Sequence, residues 1–358
     1  MCVFLLFFNI TNFMSKYFLS MCVIIKDEPN LEEFLMYNYL LGFEHFYIYD
    51  NDSSNPIPNR LNHFLFRKLC TVIRISGSKQ QLNAFNHCRK VFGHETKWLA
   101  NFDGDEYICP KNVFSVKDFL KNYDEFDAIG INWVMFGTSF HDNIQNKYVI
   151  DAYRWCSDVQ NSHIKTIYKP LRAFGIRNNP HCVVLKDPSK YCDPKKNIIS
   201  GPFNNNYTID IIQINHYFSK SKEDSINKIK RGRALSSSFG NLLNLDTIHL
   251  KNNKIIDDFC PNKYLDKLTA LMNTLTINWE IYRVLNKDLH QFVEKNDVFK
   301  HFYTYGINEP RCLKITDKYP TFDTNNYRSS YESLKNLTDT EVEKQYILES
   351  FKESEVWN

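Results

Sequence analysis

Trp98-Leu99-Ala100-Asn101-Phe102-Asp103-Gly104-Asp105-Glu106-Tyr107-Ile108 decides the fold of this chain: an apolar strand runs into three carboxylates within four residues. Side chains two apart on a strand point the same way, so Asp103 and Asp105 offer paired hard oxygen ligands for Mg²⁺ or Mn²⁺. That geometry can hold a diphosphate through the ion. An Asp-x-Asp triplet alone also occurs in solvated turns. The buried strand before this one places its carboxylates at a strand's carboxyl end, where open α/β sheets bind ligands.

Toward the amino terminus, residues 21–25 form a short buried-strand pattern closed by Lys26-Asp27-Glu28-Pro29-Asn30. Asn30 is positioned to cap a helix carrying Leu31, Phe34, Leu35 and Tyr39, which Gly42 ends. A second strand over 44–49 leads into the polar turn 50–56, and a third over 71–75 precedes a helix from Gln81 to Phe92. Counting to residue 108 gives β-α-β-(loop)-β-α-β, for which a parallel sheet is the simplest architecture.

With 358 residues, 43% apolar and 15% aromatic, the chain can bury a large core and is long enough for two domains. A net charge of +3 gives no electrostatic case for nucleic acid. Ten cysteines without a Cys-x-x-Cys pair indicate neither a zinc site nor a disulfide framework, which fits a cytoplasmic protein with reduced thiols. The apolar leader, residues 1–17, holds a run over 2–8 too short to span a bilayer and without a basic flank. Peripheral membrane contact, or a degenerate signal anchor at 2–10, is the alternative location.

The blocks so far resemble a nucleotide-sugar glycosyltransferase of the GT-A type, in the branch of glycosyltransferase family 92 and its family-2-like relatives. They are Ile25-Lys26-Asp27-Glu28, Tyr49-Asp50-Asn51, Gln81 with Asn86-His87-Cys88, and Trp98 through Tyr107. The resemblance continues through residues 130–141, His163-Ile164-Lys165-Thr166-Ile167, Ile214-Asn215-His216-Tyr217, and then Ser221 and Lys228 to Gly232. Its order is more specific than any single block. Two departures stand out: Phe140 replaces the small residue usual before His141, and residues 143–158 fit the pattern poorly.

The resemblance implies a GT-A, Rossmann-like α/β fold: a mostly parallel mixed sheet flanked by helices over 18–240, then a smaller all-helical region over 241–358. It implies a metal-dependent transfer of a hexose from a nucleotide diphosphate sugar, with UDP the expected nucleotide, to a glycan acceptor. Asp103 and Asp105 are the expected catalytic, ion-holding pair, and His216 completes the coordination; Glu106 is expected to serve the strand end. Lys26, Glu28, Asp50, Gln81 and Lys165 are the expected donor contacts, with Lys165 a point charge beside phosphate and Asp50 an acceptor for a uracil N–H. As plain residues, Glu28 and Asp50 equally suit turn caps. Trp133 and His141 are expected to flank the sugar pocket. Neither Asp142 nor Asp151 is singled out as a base by spacing.

Lys220, Lys222, Lys228, Lys230, Arg231 and Arg233 interleave with Glu223 and Asp224, the pattern of a solvated amphipathic helix in which one or two charges reach the diphosphate. Beyond residue 240, Leu265, Leu268, Met272, Leu275, Trp279 and Tyr282 recur like a helix seam, suited to packing or to self-association. Two degenerate repeats follow, 277–311 and 322–351. In them Leu289 aligns with Leu334, and Val298 and Phe302 with Val342 and Tyr346. A non-catalytic nucleotide- or glycan-binding scaffold is the alternative reading. A nucleotidyltransferase is disfavoured because no Gly- and Arg-rich phosphate loop follows the first strand.

Overall fold

The computed structural model describes residues 15–61, 63–144, 147–231, 251–305, 309 and 311–356. Most of the apolar leader, the expected boundary at 240 and the Gly306–Asn308 part of the first repeat lie outside these residues. The chain divides into two compact units, Met1–Leu268 and Thr269–Asn358.

The first unit begins β1 (Tyr17–Ile25), α1 (Leu31–Leu40), β2 (His45–Asn51), α2 (Ile57–Arg60), α3 (Phe64–Leu69), β3 (Cys70–Ile75), α4 (Gln81–Phe92) and β4 (Thr96–Asp103). It continues with β5 (Glu106–Pro110), α5 (Val116–Leu120), β6 (Ala128–Met135), α6 (Val149–Ala152), β7 (Trp155–Cys156) and β8 (Ile164–Tyr168). Then come β9 (Ala173–Gly175), β10 (Val184–Leu185), β11 (Tyr191–Cys192), β12 (Ile212–His216), α7 (Lys222–Arg231), β13 (Ile255–Ile256) and α8 (Phe259–Thr274).

The main sheet runs β3-β2-β1-β4-β8-β6-β12-β5, with β11 also on β6. Its β3-β2-β1-β4 half is parallel, β8 is antiparallel to both β4 and β6, and β5 is antiparallel to β12. The sheet is therefore mixed, as the resemblance implied, and not the uniform parallel sheet of simple strand counting. Trp98, Leu99, Ala100 and Phe102 of β4 are fully buried, because both faces of the strand are covered.

The organising stretch is two strands. Chain direction changes at Gly104-Asp105, so β4 ends on Asp103 between β1 and β8, while β5 starts on Glu106 at the far edge. The acidic turn thus bridges two separated positions of the sheet. Register then sets its neighbour: His216, last residue of β12, pairs with Glu106, and the Tyr217 N–H donates to the Asp105 carbonyl at 2.9 Å.

Asn30 occupies the position before α1, yet its side chain accepts from Lys220 at 3.0 Å and makes no capping bond. The helix seam over 265–282 is interrupted: α8 stops at Thr274, and Asn278 caps a new helix, Trp279–Leu285, by accepting from the Glu280 and Ile281 N–H groups. In the second unit each repeat folds alike. A short helix (Trp279–Leu285 or Thr324–Ser330) leads to a 3₁₀ turn ending on buried Leu289 or Leu334, then to a longer helix (Lys295–Thr304 or Asp339–Val356).

Candidate functional site

Asp103 closes β4 with its side chain about one-third exposed. One oxygen accepts from the Gln81 amide at the start of α4 (2.5 Å), the other from the Lys165 ammonium on β8 (2.9 Å). Lys165 is fully buried and also stands 3.3 Å from Glu106, itself fully buried. Burial alone would lower the Lys165 pKa, but Asp103 and Glu106 outweigh it and raise it, so the ammonium stays charged. Burial pushes the Glu106 carboxyl well up, leaving Asp103 as the main counter-ion of Lys165. Glu106 also braces the turn by accepting from the Asp103 N–H at 3.0 Å.

Asp105 is buried at 8% exposure. Burial would raise its pKa, but Lys228 at 2.5 Å, His216 and Lys220 overcome that and hold the carboxyl below the ordinary range. The His216 Nε2 lies 3.6 Å from the second Asp105 oxygen. Burial depresses His216 to about 4 against the pull of Asp105, so its imidazole is neutral, the ligand form.

In sequence Lys228 stood in a basic run and in the last block of the resemblance, with no role assigned to it. In the structure α7 turns it inward, where it donates to Asp105 and to the Phe218 carbonyl (2.9 Å), with its ammonium 4.3 Å over the Phe218 ring. Lys220, with φ +50°, is buried against Glu28 and Asn30. The solvated-helix expectation therefore fails at these two lysines: Lys220 lies before the helix and Lys228 on its inner face. A cavity of about 420 Å³ opens here, lined by Asp27, Glu28, Asp105, Lys220, Lys228 and Lys230 among others.

The other expected donor contacts divide. Glu28 joins Lys220 at this cavity. Gln81 and Lys165 hold Asp103. Asp50 is fully buried and serves its own turn, accepting from the Ser53 and Ile57 N–H groups and from Arg74 at 2.6 Å. Both its oxygens are used within the protein, which is the turn-capping alternative. Lys26 is exposed at the carboxyl end of β1.

Trp133, near the end of β6, packs among three imidazoles. His163 stacks on it at 5.2 Å, His181 meets it edge-on at 4.8 Å, and His216 tilts against it at 4.3 Å. Sequence reasoning missed His181, since nothing in its spacing marks it; only the sheet brings it beside Lys165 and Asp103, which enter its electrostatics. His141 turns elsewhere: its Nε2 bonds the Ala152 carbonyl at 3.0 Å and its ring meets Tyr153 edge-on. Phe140 has a left-handed backbone, φ +65°, which only glycine takes without strain, and its side chain is exposed at 57%. Asn253 steadies this loop by accepting from the Ser139 N–H at 3.0 Å.

The donors present fit a divalent ion. Asp105 is ionised, His216 is neutral with Nε2 facing it, and Asp103 lies on the same turn. Among the described residues no group of three His, Cys, Asp or Glu is gathered as a ready cage. A two-ligand site is what an ion completed by water and substrate phosphates requires.

A mixed sheet flanked by helices, with an acidic turn at its strand ends, defines an α/β protein. The chain belongs to glycosyltransferase family 92, whose family model matches residues 17–347. A family 92 protein of Arabidopsis thaliana is 26% identical over 193 residues, covering 48% of this chain and 32% of that protein. One of Ricinus communis is 33% identical over 190 residues, covering 49% and 33%. The chain thus spans about a third of the length of the curated relatives it matches. Among solved structures, HddC from Yersinia pseudotuberculosis overlaps at a TM-score of 0.32 and 11% identity, covering 49% of this chain and 90% of that one. A UDP-glucose pyrophosphorylase complexed with UDP-glucose overlaps at 0.23 and 13%, covering 42% and 76%.

Proposed function

We propose that this chain is a metal-dependent glycosyltransferase that moves a hexose from a nucleotide diphosphate sugar, with UDP as the nucleotide, to a glycan acceptor. The observation that carries this reading is the Asp105–His216 pair, 3.6 Å apart, beside the cavity that holds Lys220, Lys228 and Lys230. Departure of a diphosphate requires that its growing negative charge be neutralised in a site that needs no rearrangement. A bound Mn²⁺ or Mg²⁺ held by Asp105 and His216, with Asp103 alongside, supplies that neutralisation.

The chain's own groups do the rest. Lys228 stands on Asp105 and lines the cleft, so its charge would be within reach of a bound diphosphate. Lys165 and Gln81 fix the orientation of Asp103. Lys220 locks the Glu28 loop to the segment before α7, closing one wall.

Calorimetric titration with UDP in the presence and absence of Mn²⁺ tests the reading. The parent should bind UDP with Mn²⁺ and lose it with EDTA, and Asp105→Asn should weaken binding about 100-fold, the scale of a lost electrostatic contact of this kind. UDP affinity indifferent to both EDTA and Asp105→Asn would defeat it.

A further inference from the structure

A second cavity, of about 380 Å³, opens in the same unit, and its lining carries carboxylates without cations. Its size is within the range of about 300–1,000 Å³ typical of small-molecule pockets. Trp133 forms part of its wall, Ile255, Ile256 and Val159 give it apolar surface, and Asp158 stands at its rim. No Lys, Arg or His lines it, whereas in the first cavity three lysines face the carboxylates Asp27, Glu28, Asp105 and Asp224.

Two of its three aspartates are committed. Asp257 accepts from Gln213 at 2.8 Å and stands 3.7 Å from Lys111, and Asp258 pairs with Arg154 at 3.2 Å. Asp158 is exposed and makes no such contact. Val159, Ile255 and Ile256 are 65%, 49% and 54% exposed, a cost in water that an apolar ligand face would relieve.

Three side chains connect the cavities. Trp133 lines the second, its ring is 4.3 Å from His216, and His216 faces Asp105 on the wall of the first. One indole and one imidazole thus stand between the lysine-bearing cavity and the second one.

We infer that this second cavity is the acceptor subsite and that it takes a neutral hexose-terminated glycan while rejecting acidic sugars. The inference rests on the donor reading above. The apolar C–H face of a hexose packs on Trp133 and the two isoleucines, and Asp158 accepts from its hydroxyls. A uronic acid or a sulfated sugar would bring its negative charge against Asp158 with no lining cation to receive it, and like charges in apposition cost affinity steeply.

The full chain, saturated with UDP and Mn²⁺, is titrated with methyl β-D-galactopyranoside, methyl β-D-glucopyranoside and methyl β-D-glucuronide, followed by saturation-transfer NMR. At least one neutral glycoside should bind, and the glucuronide should bind about tenfold more weakly or worse, the equivalent of one unfavourable charge contact. Asp158→Lys should narrow or reverse that preference, and Ile256→Glu should weaken the neutral glycosides about fivefold or more. Both positions are exposed, so folding is not at stake, and UDP affinity should stay within about twofold. Failure of every neutral glycoside to bind, equal binding of the glucuronide, or indifference to both variants would overturn the inference. Absence of UDP binding in the parent would sink the donor reading alone, because glycoside binding and its response to the two variants are read without nucleotide in a parallel titration.

Discussion

The two units use ionic groups in opposite ways. In the first, Lys165 is fully buried beside Asp103 and Glu106, and Lys220 and Glu28 are both nearly buried. In the second, Arg311 forms a bidentate pair with Asp288 at 2.9 and 2.8 Å and also meets Glu309, but both carboxylates are well exposed. Exposed pairs contribute about 0–1 kcal/mol and cost little to make. Buried ones carry a desolvation cost that apolar side chains of the same size would avoid. The second unit instead rests on apolar contacts, with Ile281, Val284, Leu285, Ile315 and Ile347 forming one cluster. Around the acidic turn Lys165 and Glu106 are buried, whereas the carboxylates that meet Arg311 stand in solvent.

Replacing Lys165 by Met probes this contrast most severely. It removes the buried partner of Asp103, and the first unit should lose about 3–5 kcal/mol in urea unfolding, the usual result of removing one partner from a buried pair. An unchanged midpoint would show that the carboxylates are solvated. Next in size, Leu289→Ala in the second unit should cost about 2–5 kcal/mol, because a fully buried leucine leaves a cavity; a smaller loss would mean the repeat collapses around the gap.

Glu33 gives a subtler effect. Burial raises its carboxyl to about 7 although both oxygens accept from the Val149 N–H at 2.8 and 2.9 Å. The folded chain then holds that proton more tightly than the unfolded chain, so this group's contribution falls as pH rises from about 4.5 to 7 and is level above. Glu33→Gln should remove on the order of 3 kcal/mol of that pH dependence, read by urea unfolding at pH 5 and pH 8. A profile parallel to the parent's would reject it. At the small end, Arg311→Ala should shift stability by about 1 kcal/mol or less; a larger loss would erase the distinction between the units.

Much of the fold was legible because the signals were local. The apolar run of β4, the helical spacing after Asn30 and the polar turn after β2 each depend on neighbours in sequence. The end of the apolar strand at the carboxylates was legible, but not that a new strand starts at Glu106, which only the pairing of β5 with β12 shows. Asp103, Lys165 and Gln81 converge from blocks that resemblance had already set in order. The inward turn of Lys228 and the place of His181 beside Trp133 were hidden, since amphipathic spacing leaves open which lysine of a helix faces inward and β6 and His181 meet only across the sheet. Asp50 shows an ambiguity: a carboxylate at a strand end suits a ligand and a turn equally, and in the structure it bonds the Ser53 and Ile57 N–H groups and Arg74.

Gly104 carries a consequence of its own. A methyl group built there would come within 2.8 Å of the Ile25 tip and 3.4 Å of the Glu28 side chain. The distance between the two aspartates and the first loop is thus set by clearance, and the smallest residue acts as a spacer of zero thickness. An alanine methyl there would press first on the Ile25 tip, the far end of a side chain that can turn aside, and then meet the Glu28 stem at contact distance.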